Sequence, residues 1–186
     1  DWTIDDSNLD GFTWMPTGDG AMMISYNSED NTAAMDDWLI SPPLKLEAGK
    51  SYQLSFAAFA KSASYPEKIE VKYGAGSAPG NMTHTVVAPA EIRALAEAPE
   101  YLEATIEPEA DGNYCIGFHA ISAANSYYLY VSRVIVEAGV STDAPGEVAD
   151  LVVTPDADGS LSASISFKAP SLTIAGKPLA SISRIQ

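Results

Sequence analysis

The sequence predicts an all-β protein in which the first domain is a two-sheet antiparallel sandwich. Three observations support this fold class: short apolar stretches recur between turn residues, "KIEVKY" alternates strictly, and residues 36–56 read "DDWLISPPLKLEAGKSYQLSF". Short strands separated by turn signals are typical of β-sandwiches. The chain has 186 residues, of which 46% are hydrophobic, and this is enough for a packed core.

Residues 36–56 are predicted to form three strands in succession. An apolar strand at Trp38 to Ile40 meets Pro42 and Pro43, which lack the backbone donor that a central strand needs. The chain is therefore expected to turn a corner there. A second strand at residues 44–46 alternates apolar and charged residues and closes on a turn before "SYQLSF" begins the third.

The later segments differ in how much of each is predicted to be buried. Residues 68–73, "KIEVKY", alternate charged and apolar side chains, which indicates a half-buried strand. Residues 113–120, "NYCIGFHA", and residues 127–136, "YYLYVSRVIV", are apolar on both faces for much of their length, as in central strands. Residues 90–98, "AEIRALAEA", have the spacing and composition of a short helix.

The composition changes near residue 140, where Gly, Ser, Thr and Pro form a linker. This change predicts two domains, at residues 1–140 and 141–186. The second begins with a strand at Val148 to Val153 and offers two more strands before the sequence ends. Because three strands cannot close a sandwich, the second domain is predicted to be a partial β-sandwich.

The charge balance argues against two classes of partner. The chain has 25 acidic and 10 basic residues and a formal net charge of -15, which repels phosphate backbones and anionic membranes. We therefore expect no nucleic-acid partner. No apolar run approaches the roughly 20 residues of a membrane span, so membrane insertion is not expected. The lone Cys115 has no partner for an intrachain disulfide and does not indicate a compartment.

An acidic motif near the start of the chain is a candidate calcium site. Asp6, Asn8 and Asp10 alternate with other residues and are followed by Gly11, which matches the first half of a calcium-binding loop. Side-chain oxygens at alternate positions can converge on one ion, and glycine permits the sharp turn. Thr17 stands where a complete EF-hand loop has its bidentate glutamate, so the match is partial.

The remaining oxygens of such a site would have to come from elsewhere. Backbone carbonyls, water, or distant carboxylates such as Asp19 or Asp37 are the candidates. The alternative is an ordinary acidic turn, because Asp, Asn and Gly favour turns for local reasons.

Two groups of aromatic residues have either a core or a binding role. The first group could form either a sugar-stacking platform or part of the buried core, and it consists of Trp2, Trp14, Trp38, Tyr127, Tyr128 and Tyr130. Aromatic residues at strand positions are more often part of the core. Tyr65, in the turn-like "SASYPEK", is the better candidate for an exposed ring.

The sequence shows no convergent set of catalytic groups, which predicts that the protein is not an enzyme. His84 and His119 are far apart and lack the spacing of a zinc site. Cys115 lies in an apolar strand, which favours an inert buried thiol over a nucleophile. Ser41 and Ser55 stand in no nucleophile-elbow context.

The first 140 residues resemble the cleaved-adhesin type of jelly-roll domain, known from the haemagglutinin/adhesin regions of gingipain proteases and from related bacterial surface proteins. Three pieces carry the resemblance: "DWTIDDSNLDGFTW", "DDWLISPPLKLEAGKSYQLSF" and "YYLYVSRVIVE". It implies a jelly-roll-like antiparallel β-sandwich, calcium binding, and an extracellular or bacterial cell-surface location. The chain departs from the family at Ser132 and Arg133, where members often have acidic residues, and it lacks the family's usual first strand.

Residues 145–186 resemble the opening of a fibronectin type III domain. The likeness runs from "PGEVADLVVTP" through "SASISFKAP", with Phe167 where a tryptophan is common. Only the first three of seven strands are present. Truncation of both folds leads us to expect a proteolytic fragment or a partly ordered larger protein, rather than a designed boundary, which would cut both folds.

The function that these observations favour is a non-catalytic adhesion or ligand-binding module of a bacterial surface or secreted protein, stabilised by calcium. The expected partner is a host or matrix protein or a glycan. Two alternatives remain open: a carbohydrate-binding accessory domain of a larger secreted enzyme, and a structural spacer without a ligand. Jelly rolls serve several of these roles, and the fold does not fix the function.

Overall fold

The computed structural model describes residues 1–141, 144–156, 162–174 and 176–179. Within these residues the regular elements are strands, apart from one 3₁₀ turn at Pro79–Asn81. In chain order, strands β1 to β13 are Thr3–Asp6, Met15–Pro16, Met22–Ser25, Asp37–Ile40, Leu44–Leu46, Lys50–Ala60, Glu67–Gly74, His84–Ile92, Glu100–Ile106, Gly112–Ala120, Tyr128–Ser141, Ala149–Pro155 and Ala163–Lys168. Among the described residues, no helix has the length and apolar character needed to cross a membrane.

Eleven of the strands form two sheets, and this confirms the predicted jelly-roll-like sandwich. One sheet has six strands, in the order β1-β4-β10-β7-β8 with β5 also paired to β10. The other has five strands, in the order β2-β3-β11-β6-β9. All of these pairs are antiparallel. As predicted, β10 and β11 are central strands, since each has a neighbour on both sides.

The hydrophobic core lies between the two sheets. Phe118 of β10 meets Phe56 of β6 edge to face, with ring centroids 5.1 Å apart at 83°. Ile69 and Val71 of β7 are completely buried, which confirms the alternation predicted for this strand. Each such side chain contributes about 1.5–3 kcal/mol through burial, so the buried cluster to which these residues belong holds the sheets together.

The predicted corner is present between β4 and β5. Ser41 donates its backbone N–H to the carbonyl of Ile116 at 2.8 Å, and its hydroxyl accepts the N–H of Ile116 at 2.9 Å. Pro42 and Pro43 follow, and the chain then rejoins the same neighbouring strand, β10, as β5. The corner therefore lets one central strand pair with two short strands in succession.

The prediction of a short helix at residues 90–98 is wrong. Residues up to Ile92 belong to β8, and Ile92 is completely buried opposite Glu67 of β7. The chain then makes a tight turn in which the N–H of Ala98 donates to the carbonyl of Leu95 at 3.0 Å. A helix of two turns has little intrinsic stability, so strand pairing and the burial of Ile92 prevail.

The outer face of the six-stranded sheet is covered by a second apolar cluster. Trp38, Ile40, Met82 and Cys115 form this cluster, and each is at most 6% exposed. Met82 comes from the segment that follows the 3₁₀ turn and packs on this face. That face is thereby closed over its middle strands.

Strands β12 and β13 pair with each other in a separate hairpin. Their apolar side chains are exposed, including Leu151, Val153, Ile165 and Phe167. The third strand predicted after them falls partly on residues 180–186, which lie outside the described residues. The boundary at residue 140 and the fibronectin type III likeness remain predictions.

Candidate ligand-binding face

The outer face of the five-stranded sheet carries stacked aromatic rings. Along β11, Leu129 and Val131 point into the core and are at most 1% exposed, so Tyr128 and Tyr130 between them point outward. Tyr130 pairs with Phe59 of β6, and the two rings stack with centroids 4.5 Å apart and planes 5° apart. This pair is the centre of the candidate site.

The rings continue as a row that leaves the sheet and reaches the turn after β6. The distances between neighbouring ring centroids are 6.4 Å for Tyr130 and Tyr128, 4.5 Å for Tyr128 and Tyr127, and 6.1 Å for Tyr127 and Tyr65. We call Phe59, Tyr130, Tyr128, Tyr127 and Tyr65 the aromatic row. Tyr65 is 50% exposed and Tyr127 is 36% exposed, so the row is accessible from solvent, unlike the covered outer face of the other sheet.

A groove of about 330 Å³ lies over the Phe59–Tyr130 pair. Met23 extends its apolar floor, and its polar lining comes from Thr17, Asp19, Lys61 and Glu97. Lys61 forms no ion pair with any described residue. An apolar floor with a few polar groups at its rim is the usual composition of a small-ligand site.

Two turns form the walls of this groove. On one side the Thr17 hydroxyl accepts the backbone N–H of Ala21 at 3.0 Å and donates to the Asp19 carboxylate. That hydrogen bond from Thr17 is the main reason why the pKa of Asp19 is lowered. On the other side, the N–H of Ala60 donates to the carbonyl of Ala94 at 2.8 Å, which fixes the turn at residues 94–98 against the end of β6.

A buried carboxylate fixes the position of the loop that begins β11. Glu67 of β7 is completely buried, and its Oε1 accepts the backbone N–H of Tyr127 at 2.7 Å. Burial raises the pKa of Glu67, and its other oxygen and the hydroxyl of Ser126 are buried without a hydrogen bond of good geometry. The sequence reasoning missed this residue, although Glu67 stands at the position of "EKIEVKY" that continues the buried face.

The three residues predicted as metal ligands lie in one turn after β1. The carboxylate of Asp6 accepts the backbone N–H groups of Asp10 and Gly11 at 3.1 and 2.9 Å. Asn8 accepts the same N–H of Asp10 at 3.1 Å, and Asp10 accepts that of Phe12 at 2.8 Å. Local hydrogen bonds therefore shape this turn.

Of the two distant carboxylates considered for this site, the structure brings Asp37 to the turn, whereas Asp19 borders the groove. Asp37 pairs with Asp6 across β1 and β4 and is 1% exposed. Burial, together with the charges of Asp6 and Asp10, raises the pKa of Asp37 to about 7. Thr13 lies near enough to lower that pKa, yet neither its hydroxyl nor Asp37 Oδ1 has a hydrogen bond of good geometry.

The remaining aromatic candidates divide between core and surface. Trp14 and Trp38 are buried, at 2% and 6% exposure, and so belong to the core as the strand positions favoured. Trp2 is 42% exposed, and its ring centroid lies 6.1 Å from that of the buried Phe118. The prediction that Tyr65 is exposed is confirmed.

The histidines and the cysteine occupy structural positions. His119 stacks on Trp38 at 4.0 Å, and its ring nitrogens lie 2.8 Å from Glu70 and 2.6 Å from Asp36. His84 stacks on a strand neighbour, Tyr73, at 4.8 Å between centroids. Cys115 is buried, and burial raises the pKa of its thiol, which disfavours the reactive thiolate.

A larger concavity, of about 770 Å³, lies in the C-terminal segment between residues 145–149 and 168–174. Its lining contains no aromatic ring and combines prolines and small residues with Leu172, Ile174, Glu147 and Lys168. It therefore offers less specific recognition than the groove over the aromatic row.

Comparison with solved structures identifies the same fold in binding domains. The K1 cleaved adhesin domain of Lys-gingipain from Porphyromonas gingivalis W83 matches 75% of this chain and 91% of its own length, with a TM-score of 0.57 and 18% identity. A CBM4 structure matches 74% of this chain and 86% of its own length, with a TM-score of 0.53 and 22% identity. The N-terminal cellulose-binding domain of a Cellulomonas fimi β-1,4-glucanase matches 75% of this chain and 89% of its own length, with a TM-score of 0.50 and 17% identity.

The sequence matches no protein-family model and no curated protein. The likeness therefore rests on three-dimensional structure at low sequence identity, and it establishes the fold. The resemblance read from the three sequence pieces is confirmed at this level: the chain has the jelly-roll fold of the gingipain cleaved adhesin domains.

Proposed function

We propose that this protein is a non-catalytic glycan-binding module that holds its ligand on the outer face of the five-stranded sheet. The observation that carries the proposal is the stacked pair of Phe59 and Tyr130 on the floor of a groove with a polar rim. The aromatic row extends this floor toward Tyr65. A chain of sugar rings lying along the row would meet several aromatic rings.

The chemistry of the groove suits a sugar. A pyranose ring has an apolar face of C–H groups and an edge of hydroxyl groups, so it packs on an aromatic ring while its hydroxyls seek polar partners. Asp19, Glu97 and Lys61 line the groove where such hydroxyls would lie. The site is also preorganised, because Glu67 holds the loop of Tyr127 before any ligand arrives.

The comparisons support binding over catalysis. Two of the similar structures are a CBM4 structure and a cellulose-binding domain. The cleaved adhesin domain favours the related function of adhesion, in which a host or matrix protein or its attached glycan is the partner. Both functions fit an extracellular or cell-surface module.

A glycan array followed by calorimetric titration tests the proposal. Phe59→Ala and Tyr130→Ala should each abolish or strongly weaken binding to any glycan that the array identifies. Tyr114→Ala is the matched control, because Tyr114 lies on β10 of the other sheet. Binding of a host or matrix protein without any glycan binding would favour the adhesion function instead.

We also infer that calcium stabilises the turn after β1. Asp37 is a carboxylate beside two others, and its buried Oδ1 has no hydrogen-bond partner, so a divalent cation would complete its environment. Asp37, Asn8 and one of the carboxylates of Asp6 and Asp10 would hold the ion. Among the residues described, no group of three His, Cys, Asp or Glu side chains is placed to bind one metal, so backbone or water oxygens would complete the coordination.

A further inference from the structure

A bulge in β11 places an arginine on the same face as the aromatic row. Ser132 pairs with Ala57 and Ile135 pairs with Ser55, so two residues of β11 face one residue of β6 at this point. Val134 packs against the core, whereas Arg133 is exposed and has a positive φ of 53°. Bulges redirect side chains in this way, and residues other than glycine rarely adopt such a conformation.

Arg133 lies over the ring of a neighbouring tyrosine. Tyr101 of β9 pairs with Ala57, the residue that also pairs with Ser132. The guanidinium carbon of Arg133 lies 5.9 Å from the centre of the Tyr101 ring, and Nη1 donates a hydrogen bond to the Tyr101 hydroxyl. Tyr101 is 58% exposed, so this pair forms a solvent-accessible shelf on the binding face.

The charge of Arg133 is not neutralised by a carboxylate. Lys50, Lys72 and Arg93 each form an ion pair, but Arg133 forms none with any described residue. Lys61, in the lining of the groove, likewise forms no ion pair with a described residue. Glu103, which lies two residues from Tyr101 on β9, does not form an ion pair with Arg133 either.

The shelf adjoins the centre of the aromatic row. Tyr101 pairs with Ala57, two residues along β6 from Phe59. Diagonal neighbours on one sheet face are separated by about 7–8 Å. A ligand bound over Phe59 and Tyr130 would therefore also reach Tyr101 and the guanidinium.

From this arrangement we propose that the module prefers acidic glycans, and that Arg133 binds the carboxylate or sulfate group of a sugar stacked beside Tyr101. The inference rests on the proposed function and specifies its ligand class. A guanidinium presents a planar set of N–H donors that matches the oxygens of a carboxylate or sulfate, and stacking over Tyr101 leaves donors at its edge. The tyrosine fixes the orientation of the arginine.

Matched pairs of oligosaccharides test the proposal by calorimetric titration. One pair compares oligogalacturonate with its methyl-esterified, neutral form, and the other compares a sulfated oligosaccharide with its desulfated form. At about 150 mM salt, where charges beyond about 8 Å are largely screened, at least one acidic member should bind about tenfold more tightly than its neutral partner. The pair that shows the preference identifies whether the anion is a carboxylate or a sulfate.

Arg133→Gln should remove this preference while retaining the binding of neutral glycan. Lys45→Gln removes the same charge from the other sheet and should leave the preference unchanged. Equal affinity for acidic and neutral members, or an unchanged preference in Arg133→Gln, would overturn the inference and leave the proposed function standing. If no oligosaccharide binds, neutral or acidic, the proposed function and this inference both fail.

Discussion

The carboxylate of Glu67 accepts the backbone N–H of Tyr127 at 2.7 Å and so joins the two sheets beneath the aromatic row. Glu67 belongs to β7 of the six-stranded sheet, whereas Tyr127 leads directly into β11 of the five-stranded sheet. One buried acceptor thereby sets the position from which Tyr127 meets both Tyr128 and Tyr65.

Replacing Glu67 should loosen this end of the row. Glu67→Ala would leave the N–H of Tyr127 without its acceptor, and an unsatisfied buried donor costs about 1–3 kcal/mol. Chemical denaturation should show this loss of stability, and titration should show weaker glycan binding. Glu67→Gln retains an acceptor and should recover much of both properties. Equal losses in the two variants would mean that the charge, and not the hydrogen bond, is required.

The raised pKa of Asp37 predicts that, without calcium, the stability of the folded protein depends on pH. The carboxyl has a pKa of about 7 in the folded protein against an ordinary value of 3.8, so the folded state holds more protons than the unfolded state between these values. Stability should therefore fall as pH rises through this window, by on the order of 2–4 kcal/mol from this group. Burial also raises the pKa of Glu67 and contributes in the same direction.

Asp37→Asn should flatten this pH dependence, because the amide does not titrate. The measurement is the free energy of unfolding in chelator at several pH values between 4 and 8, compared with the unaltered protein. A wild-type stability that rises with pH across this range would contradict the burial of an uncompensated carboxyl.

Calcium binding should offset the electrostatic repulsion among the carboxylates of Asp6, Asp10 and Asp37. Binding to the folded state alone raises stability by about 2.7 kcal/mol when free calcium is 100 times its dissociation constant. The melting temperature should therefore rise with calcium, and magnesium should have a smaller effect. Asp10→Ala and Asp37→Asn should each remove the response. An identical melting temperature in millimolar calcium and in chelator would mean that the motif is an acidic turn.

Gly74 should be the least replaceable glycine of the six-stranded sheet. A Cβ at this position would lie 1.7 Å from the carbonyl oxygen of Asn81, which is backbone and cannot move independently. Gly74→Ala should cost about 1–3 kcal/mol or more through overpacking. Gly80→Ala is the control, since its Cβ would meet no atom within 4 Å. Thermal melts of the two variants should differ clearly.

The sequence was most informative where each strand is specified by its own residues. The alternation around Ile69 and Val71 and the prolines at residues 42 and 43 predicted β7 and the corner after β4. The segment at residues 90–98 was misread, because the burial of Ile92 against β7 is a tertiary effect that local helix propensity does not register.

The site was less predictable because it is made by pairing across strands. Phe59 and Tyr130 are 71 residues apart in the sequence, yet their rings stack because the pairing of β6 with β11 places them directly opposite each other. Tyr101 and Arg133 meet through the bulge, which no local pattern in "YVSRVIV" announces. The composition did indicate an aromatic platform, but the structure was needed to show which rings remain accessible.

The most direct test of the binding face is a calorimetric titration of the best glycan from the array against wild type, Phe59→Ala and Tyr130→Ala. The stacked pair forms the floor of the groove, so both variants should lose at least about tenfold in affinity, by analogy with stacking on other aromatic platforms. Both variants should stay folded with a modestly lower melting temperature, because each loses one ring of the stacked pair, and the affinity of Tyr114→Ala should remain close to that of the wild type. Undiminished binding by both folded variants would show that the ligand does not lie on this face.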